Sequence, residues 1–350
     1  MSDSLPAAPP AGAAVPRRRR RFVVLATAVV VVAAGWSAFW WQASGIARRA
    51  VDDALADARA QGLGVTCPGE RIAGYPFLLE LRCDATSLSP PDGPPLAAGP
   101  LVVVARIYAP SRVIAELTGP LTVGAAAGPL ATARWSLAHA SLRLDDMFGT
   151  PRLGLGALAI ENLALSAGAA PALAAKSLEL HLRPTPGKAG ALDVALTAVA
   201  AAAPGLPLAD LRLLVTVPDG MAMASGRQPL PAEGLSLELT EAGIKAGGAD
   251  VSAKGSLTLR ADGLVDGRLD LTTADPDKLA ALLATFLPPG SVLPQAAAGA
   301  IRAFGRPVEV AGQKAVTVPV GIVDSRVSIG LVPLGRLPRL DLGAGAMPSG

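Results

Sequence analysis

The apolar positions of this chain are continuous near its amino terminus and alternate almost everywhere else. Phe22 to Trp41 run for twenty residues without a charge. As a helix rising about 1.5 Å per residue they span about 30 Å, the hydrocarbon thickness of a bilayer. One transmembrane helix is therefore predicted over residues 22–41. From 42 to 62 the period stays helical: Ile46, Ala50, Val51, Ala54, Leu55 and Ala58 fall on one face, with Arg48, Arg49, Asp52, Asp53, Asp57 and Arg59 elsewhere. This predicts a juxtamembrane helix that continues the first and stops at Gly62 and Gly64.

Beyond residue 63 the period changes to two, which places alternate side chains on opposite faces of a strand. Leu178, Leu180 and Leu182 alternate with Glu179, His181 and Arg183. The same pattern recurs at Leu192, Val194 and Leu196, at Leu211, Leu213, Val215 and Val217, and at Leu235, Leu237 and Leu239. After Leu257 and Leu259, both Asp262-Gly263 and Asp266-Gly267 signal a tight turn, which leaves the register of that hairpin open. Val316, Val318, Val320 and Ile322 meet Val327, Ile329 and Leu331 across Asp324-Ser325. Strands joined by such short turns pair antiparallel. The alanine-rich stretches 124–133 and 198–204, punctuated by Gly and Pro, read as loops or loose strand ends.

Two helices interrupt the strands. Asp275 is placed to cap the first, Pro276 suits its opening position, and Leu279, Leu282, Leu283 and Phe286 form its apolar stripe. Pro294 to Phe304 reads as a shorter second helix. The predicted fold class is mainly β (α+β): a single N-terminal transmembrane helix, then a twisted antiparallel β-sheet domain over residues 63–342 with two helices near residues 275–305.

Charge sets the orientation. The formal net charge is +3, but five arginines, Arg17, Arg18, Arg19, Arg20 and Arg21, sit directly before the apolar span. The rest of the chain, after residue 21, holds 26 basic and 27 acidic groups. Basic flanks stay cytoplasmic, so the body is expected in the periplasm and the protein in the bacterial inner membrane. Trp36, Trp40 and Trp41 gather at the far end of the span, where indoles favour the headgroup layer. A cleaved signal peptide is disfavoured by the length of the span and by the bulky exit Phe39-Trp40-Trp41. Residues 1–21 are expected to be a disordered basic cytoplasmic tail and residues 343–350 a second disordered tail. A nearly neutral body with 3% aromatic residues lacks the footprint of a nucleic-acid binder.

Candidate chemistry is sparse. Cys67 and Cys83 are the only cysteines, and in an exported compartment an even pair most economically forms a disulfide stapling a hairpin, the alternative being two separate buried thiols. Gly74, Tyr75, Pro76 and Phe77 supply the turn between them. His139 and His181 are the only histidines, and His181 falls on the polar parity of its strand. Nucleophile-elbow, phosphate-loop and zinc-protease motifs are absent from the sequence. No cofactor, metal or catalytic residue is assigned, and an enzyme is disfavoured.

The segment from Arg71 to Phe77 with Arg82-Cys83, then Tyr108-Ala109-Pro110 and Gly119-Pro120-Leu121, resembles the family known as domain of unknown function 2125, anchored envelope proteins of alphaproteobacterial type. Val318-Pro319-Val320, the stretch from Gly330 to Gly335, and Leu337-Pro338 are similar to its closing pattern. Asp324-Ser325 departs from it where Asp-Gly is expected. The resemblance implies an envelope location and no established activity. In architecture alone the chain is similar to AsmA-like bridging proteins. The expected function is non-catalytic: a bilayer-anchored protein handling a lipid or other apolar ligand. The alternative is an assembly or tethering protein that offers its sheet to an envelope protein partner, with a hydrolase third.

Overall fold

The computed structural model describes residues 17–91, 93–125, 128–145, 152–168, 170–224, 234–310 and 312–339. Of the tails expected over 1–21 and 343–350, residues 1–16 and 343–350 lie outside the described residues. A single helix, α1 (Arg17–Ala60), covers both predicted helical segments without a break. It takes in Arg17 to Arg21, which the sequence reading places in the tail. It ends where Gly62, at φ +81°, lets the chain turn back. Leu63 N–H then donates to Ala58 C=O and Gly62 N–H to Arg59 C=O, both at 2.9 Å, the paired bonds of a Schellman stop.

The strands follow in chain order: β1 (Gly64–Thr66), β2 (Arg71–Ala73), β3 (Leu78–Cys83), β4 (Thr86–Ser89), β5 (Leu96–Ala98), β6 (Leu101–Arg106) and β7 (Ala109–Leu117). Next come β8 (Leu121–Val123), β9 (Ala131–Arg134), β10 (Leu137–Asp145), β11 (Arg152–Ala167), β12 (Ala170–Pro184), β13 (Leu192–Ala201) and β14 (Ala209–Val217). A short α2 (Gly220–Ala224) precedes β15 (Leu235–Ala246), β16 (Ala249–Leu259) and β17 (Val265–Thr273). Then α3 (Pro276–Ala284) and α4 (Leu293–Phe304) lead to β18 (Arg306–Val310), β19 (Gln313–Val323), β20 (Arg326–Ile329) and β21 (Val332–Arg336). All are paired antiparallel in one open sheet.

The sheet branches at β11. One half of this long strand pairs with β10, which leads through β7, β6 and β3 to β2. Its other half pairs with β9, which leads through β8, β5 and β4 to β1. Strand interruptions at Gly99-Pro100 and Gly119-Pro120 carry the chain from one branch to the other, since proline cannot continue a ladder. On its other edge β11 meets β12, and simple neighbour pairing runs on to β17 and then β19.

The two alanine-rich stretches are loop and strand end as read, except that the first runs into a short strand of its own. Residues 131–134 form β9, and 198–201 close β13, with Ala200 at φ +49° in a bulge whose N–H donates to Asp210 at 2.8 Å. Alanine is a weak strand former, and here its neighbours across the ladder decide its conformation. Of the two Asp-Gly signals, Asp262-Gly263 makes the turn and Gly267 lies inside β17. A Cβ at Gly267 would stand 2.3 Å from Ser256 C=O, so this glycine serves the close approach of β16.

The best-packed region lies at the carboxyl end. Asp275 caps α3 as predicted, accepting from Asp277 N–H at 2.9 Å and Lys278 N–H at 3.3 Å. Helices α3 and α4 lie on the apolar face of β15 to β20, where Ile301, Val318 and Ile329 are fully buried. The β19–β20 hairpin closes on Asp324 (φ +48°) and Ser325 (φ +62°), a two-residue turn with both residues left-handed. Tertiary bonds hold these non-glycine residues there. Ser325 Oγ accepts from Val265 N–H at 2.9 Å, and the Asp324 carboxylate accepts from Arg260 at 2.7 Å.

Candidate functional site

Strand register, more than any single residue, builds the site. Ile72 pairs with Leu81, Leu81 with Val103, Val103 with Ala115, and Ala115 with Ala140. The row continues through Leu158, Leu180, Leu196 and Leu213. It finishes at Ala242, Ala253, Leu271 and Val318. No polar side chain interrupts it. Two residues along each strand, Leu79, Ala105, Val113, Leu142, Gly156, Leu182, Val194 and Val215 form a second apolar row. The opposite face carries Glu116, His139, Glu179 and Arg212 in one row. His181 is exposed there beside Glu179, as its parity predicts.

Cover on the apolar face is uneven. Under α3 and α4 it is packed into a buried core. Between β7 and β12 it is open, and Leu142 keeps 39% of its surface in solvent. There Val113, Leu142, Leu158, Leu180 and Leu182 line a depression of about 310 Å³. A larger groove of about 440 Å³ lies at the α1 end, between Val51 and Leu55 of the helix and both sheet branches, through Leu81, Leu101 and Leu117 on one and Val65, Leu88 and Leu96 on the other. At the opposite limit a third cavity of about 200 Å³ opens under α3, bordered by Leu211, Ile244, Leu282 and the exposed Phe286. Together they mark out a trough with an apolar floor, closed most fully at its carboxyl end and interrupted by smaller buried clusters at Leu163, Ala175 and Ala198 and at Val215 and Leu239, where Met223 packs.

Helix α1 is fastened to this trough by one stripe. Trp36, Trp40, Ala43, Ala47, Val51, Leu55 and Ala58 are half-buried. Ile46, Ala50 and Ala54, expected on the packed face, are exposed instead. The tryptophans set the rotation: Trp36 Nε1 donates to Pro76 C=O and Trp40 Nε1 to Leu78 C=O, each at 2.9 Å. Ser37 Oγ lies 2.8 Å from the Tyr75 hydroxyl, and the Trp40 and Tyr75 rings meet edge-on with centroids 5.5 Å apart. The turn of Gly74, Tyr75, Pro76 and Phe77 is thus brought onto two of the three predicted interfacial tryptophans. Trp41 remains 73% exposed. Arg19, Arg20 and Arg21 are exposed, and the side chains of Arg17 and Arg18 lie outside the described residues.

Cys67 and Cys83 stand at disulfide distance with Cα atoms 5.0 Å apart, joining the end of β1 to the end of β3 and lining the α1 groove. Sequence reasoning missed Ser37, Val51 and Leu55 as groove and docking residues. It also missed Asp193, a nearly buried carboxylate on the polar face. Burial pushes its pKa up, but hydrogen bonds from Thr185 (2.7 Å), Thr216 (2.8 Å) and Arg183 (3.2 Å) outweigh burial and hold it below its ordinary value. Its position ties β12, β13 and β14 together. Among the described residues no group of three or more His, Cys, Asp or Glu is placed to hold a metal ion.

Fold and site define a class: an open antiparallel β protein with an apolar trough, carried on a helix long and apolar enough to cross a membrane. The chain belongs to the family described as an uncharacterized protein conserved in bacteria (DUF2125), whose model matches residues 40–338. The match takes in the whole sheet and the docked outer half of α1. No curated protein and no solved structure matches the chain.

Proposed function

We propose that this is a non-catalytic envelope protein, anchored in the bacterial inner membrane with its body in the periplasm, whose trough holds lipid acyl chains. The observation that carries the reading is the unbroken apolar row from Ile72 to Val318, left open between β7 and β12. An ordinary core would close over such a face, because each buried methylene stabilises by about 0.8 kcal/mol. Strands spaced about 4.8 Å apart give the row from β3 to β19 a length of roughly 50 Å, several times the roughly 15 Å depth of one leaflet. The groove beside Val51 and Leu55 starts on the same helix that enters the bilayer, which gives acyl chains an apolar route from it. The arginine flank favours this orientation, and the Cys67–Cys83 pair suits an oxidising compartment.

A photo-reactive phenylalanine analogue placed at Leu158, on the trough floor, tests the reading in cells. A second variant carries it at His181, on the opposite face. Irradiation is expected to give a phospholipid adduct at position 158 and none at 181. An adduct with another protein at 158 favours the tethering reading and defeats this one, as does equal lipid labelling at both positions.

A further inference from the structure

We infer that the Gly74–Phe77 turn is inserted into the membrane leaflet on the sheet side of α1, so that the β domain is itself embedded in the bilayer and not merely tethered above it. The inference requires α1 to span the bilayer but does not depend on what the trough binds. Helical rise places Trp36 about 22 Å beyond Arg21, against a hydrocarbon thickness of about 30 Å. Its level therefore falls inside the far leaflet. Tilting the helix, or letting the arginines lie further out on their own side, moves Trp36 deeper still. Because Trp36 Nε1 holds Pro76 C=O at 2.9 Å, the tip of the turn shares that depth.

The chemistry of the turn fits a place without water. The carbonyls of Pro76 and Leu78 and the Tyr75 hydroxyl would be costly if left unpaired in hydrocarbon. Each is met by a group of α1: Trp36, Trp40 and Ser37 respectively. Meanwhile the apolar parts face outward. Phe77 is 57% exposed and Tyr108, in the adjoining β6–β7 turn, is 66% exposed. The two turns share a level, since Ile107 N–H donates to Phe77 C=O at 3.0 Å. Arg106 pairs across the ladder with Leu78, is exposed, and has no acidic partner among the described residues. Leu78 lies at the level of Trp40, close to the hydrocarbon boundary, so Arg106 is placed among lipid phosphates.

The test uses the full chain reconstituted in phospholipid vesicles, with a nitroxide on one introduced cysteine at a time: Phe77→Cys, Tyr108→Cys, Val30→Cys within the span and Lys188→Cys on an exposed turn. Collision with dissolved oxygen relative to a water-soluble nickel chelate reports depth. Positions 77 and 108 are expected to show a ratio several-fold above that of 188, approaching that of 30. If 30 reads as lipid while both 77 and 108 read as water, the insertion is overturned and the anchor survives. If 30 also reads as water, both fall. Labels at 77 and 108 are independent, so misfolding of one variant leaves the other decisive.

Discussion

Leu142 and Val318 lie on the same face of one continuous sheet, yet Leu142 is 39% exposed and Val318 not at all. Their sequence surroundings alternate in the same way. What separates them is that α3 and α4 cover the sheet over Val318, whereas Leu142 lines the open depression between β7 and β12.

Truncations at the two places should therefore differ sharply. Ile301→Ala or Ile329→Ala, both fully buried, is expected to cost about 2–5 kcal/mol. Leu142→Ala should cost under about 1 kcal/mol, having half-solvated surface to lose. Denaturant unfolding of the three variants in one detergent checks the order, and equal losses would mean that the middle of the face is covered.

Cys67 and Cys83 should resist alkylation in protein isolated without reductant and react after reduction. Replacing either by serine is expected to destabilise the β domain by about 2–5 kcal/mol. Mass spectrometry of the alkylated protein reads the first outcome, and free reaction of both thiols before reduction would contradict the bridge.

Asp193 gives the protein an acid-sensitive element. Because its pKa is lowered on folding, its stabilising effect is complete above the ordinary carboxylate value of about 3.9 and is lost as pH falls through the folded value. Asp193→Asn should cost about 1–3 kcal/mol near neutrality and remove part of the acid dependence. Thermal unfolding of both proteins from neutral pH downward should show the two curves drawing together only as pH falls below the ordinary carboxylate value.

The Asp324-Ser325 turn offers a test of local against tertiary preference. Ser325→Ala removes the acceptor of Val265 N–H and should cost about 1–3 kcal/mol. Ser325→Gly loses the same bond but relieves about 1 kcal/mol of left-handed backbone cost, so it should be the milder change. The reverse order would show that the left-handed backbone carries no such cost here, and an unchanged stability in Ser325→Ala would show that the hydroxyl contributes little.

Much of the architecture was legible because it is local. Twenty charge-free residues, alternating leucines and a capped Pro276 helix each follow from neighbours in sequence. The apolar row was not legible, because its continuity depends on register across bulges such as that between Ala198 and Ala201, where a slip of one residue would turn the strand over. The packed face of α1 was legible only in part: Val51, Leu55 and Ala58 pack as read, but Ala50 and Ala54 are as apolar as Ala43 and Ala47. The choice between them was made by Trp36 and Trp40, whose partners lie 40 and 38 residues away. Asp324-Ser325 departs from the local turn rule because Arg260 and Val265 supply what glycine would have supplied.

The unbroken course of α1 from Arg17 to Ala60 has one more consequence. With no hinge between span and stripe, the sheet cannot swivel on its anchor. With the span in the bilayer, as proposed, a hydrophobic segment longer than its membrane is thick accommodates by leaning. Any lean of α1 then becomes an equal lean of the trough, and its carboxyl end is carried toward or away from the lipid surface. Bilayer thickness is in this way converted into the attitude of the whole domain.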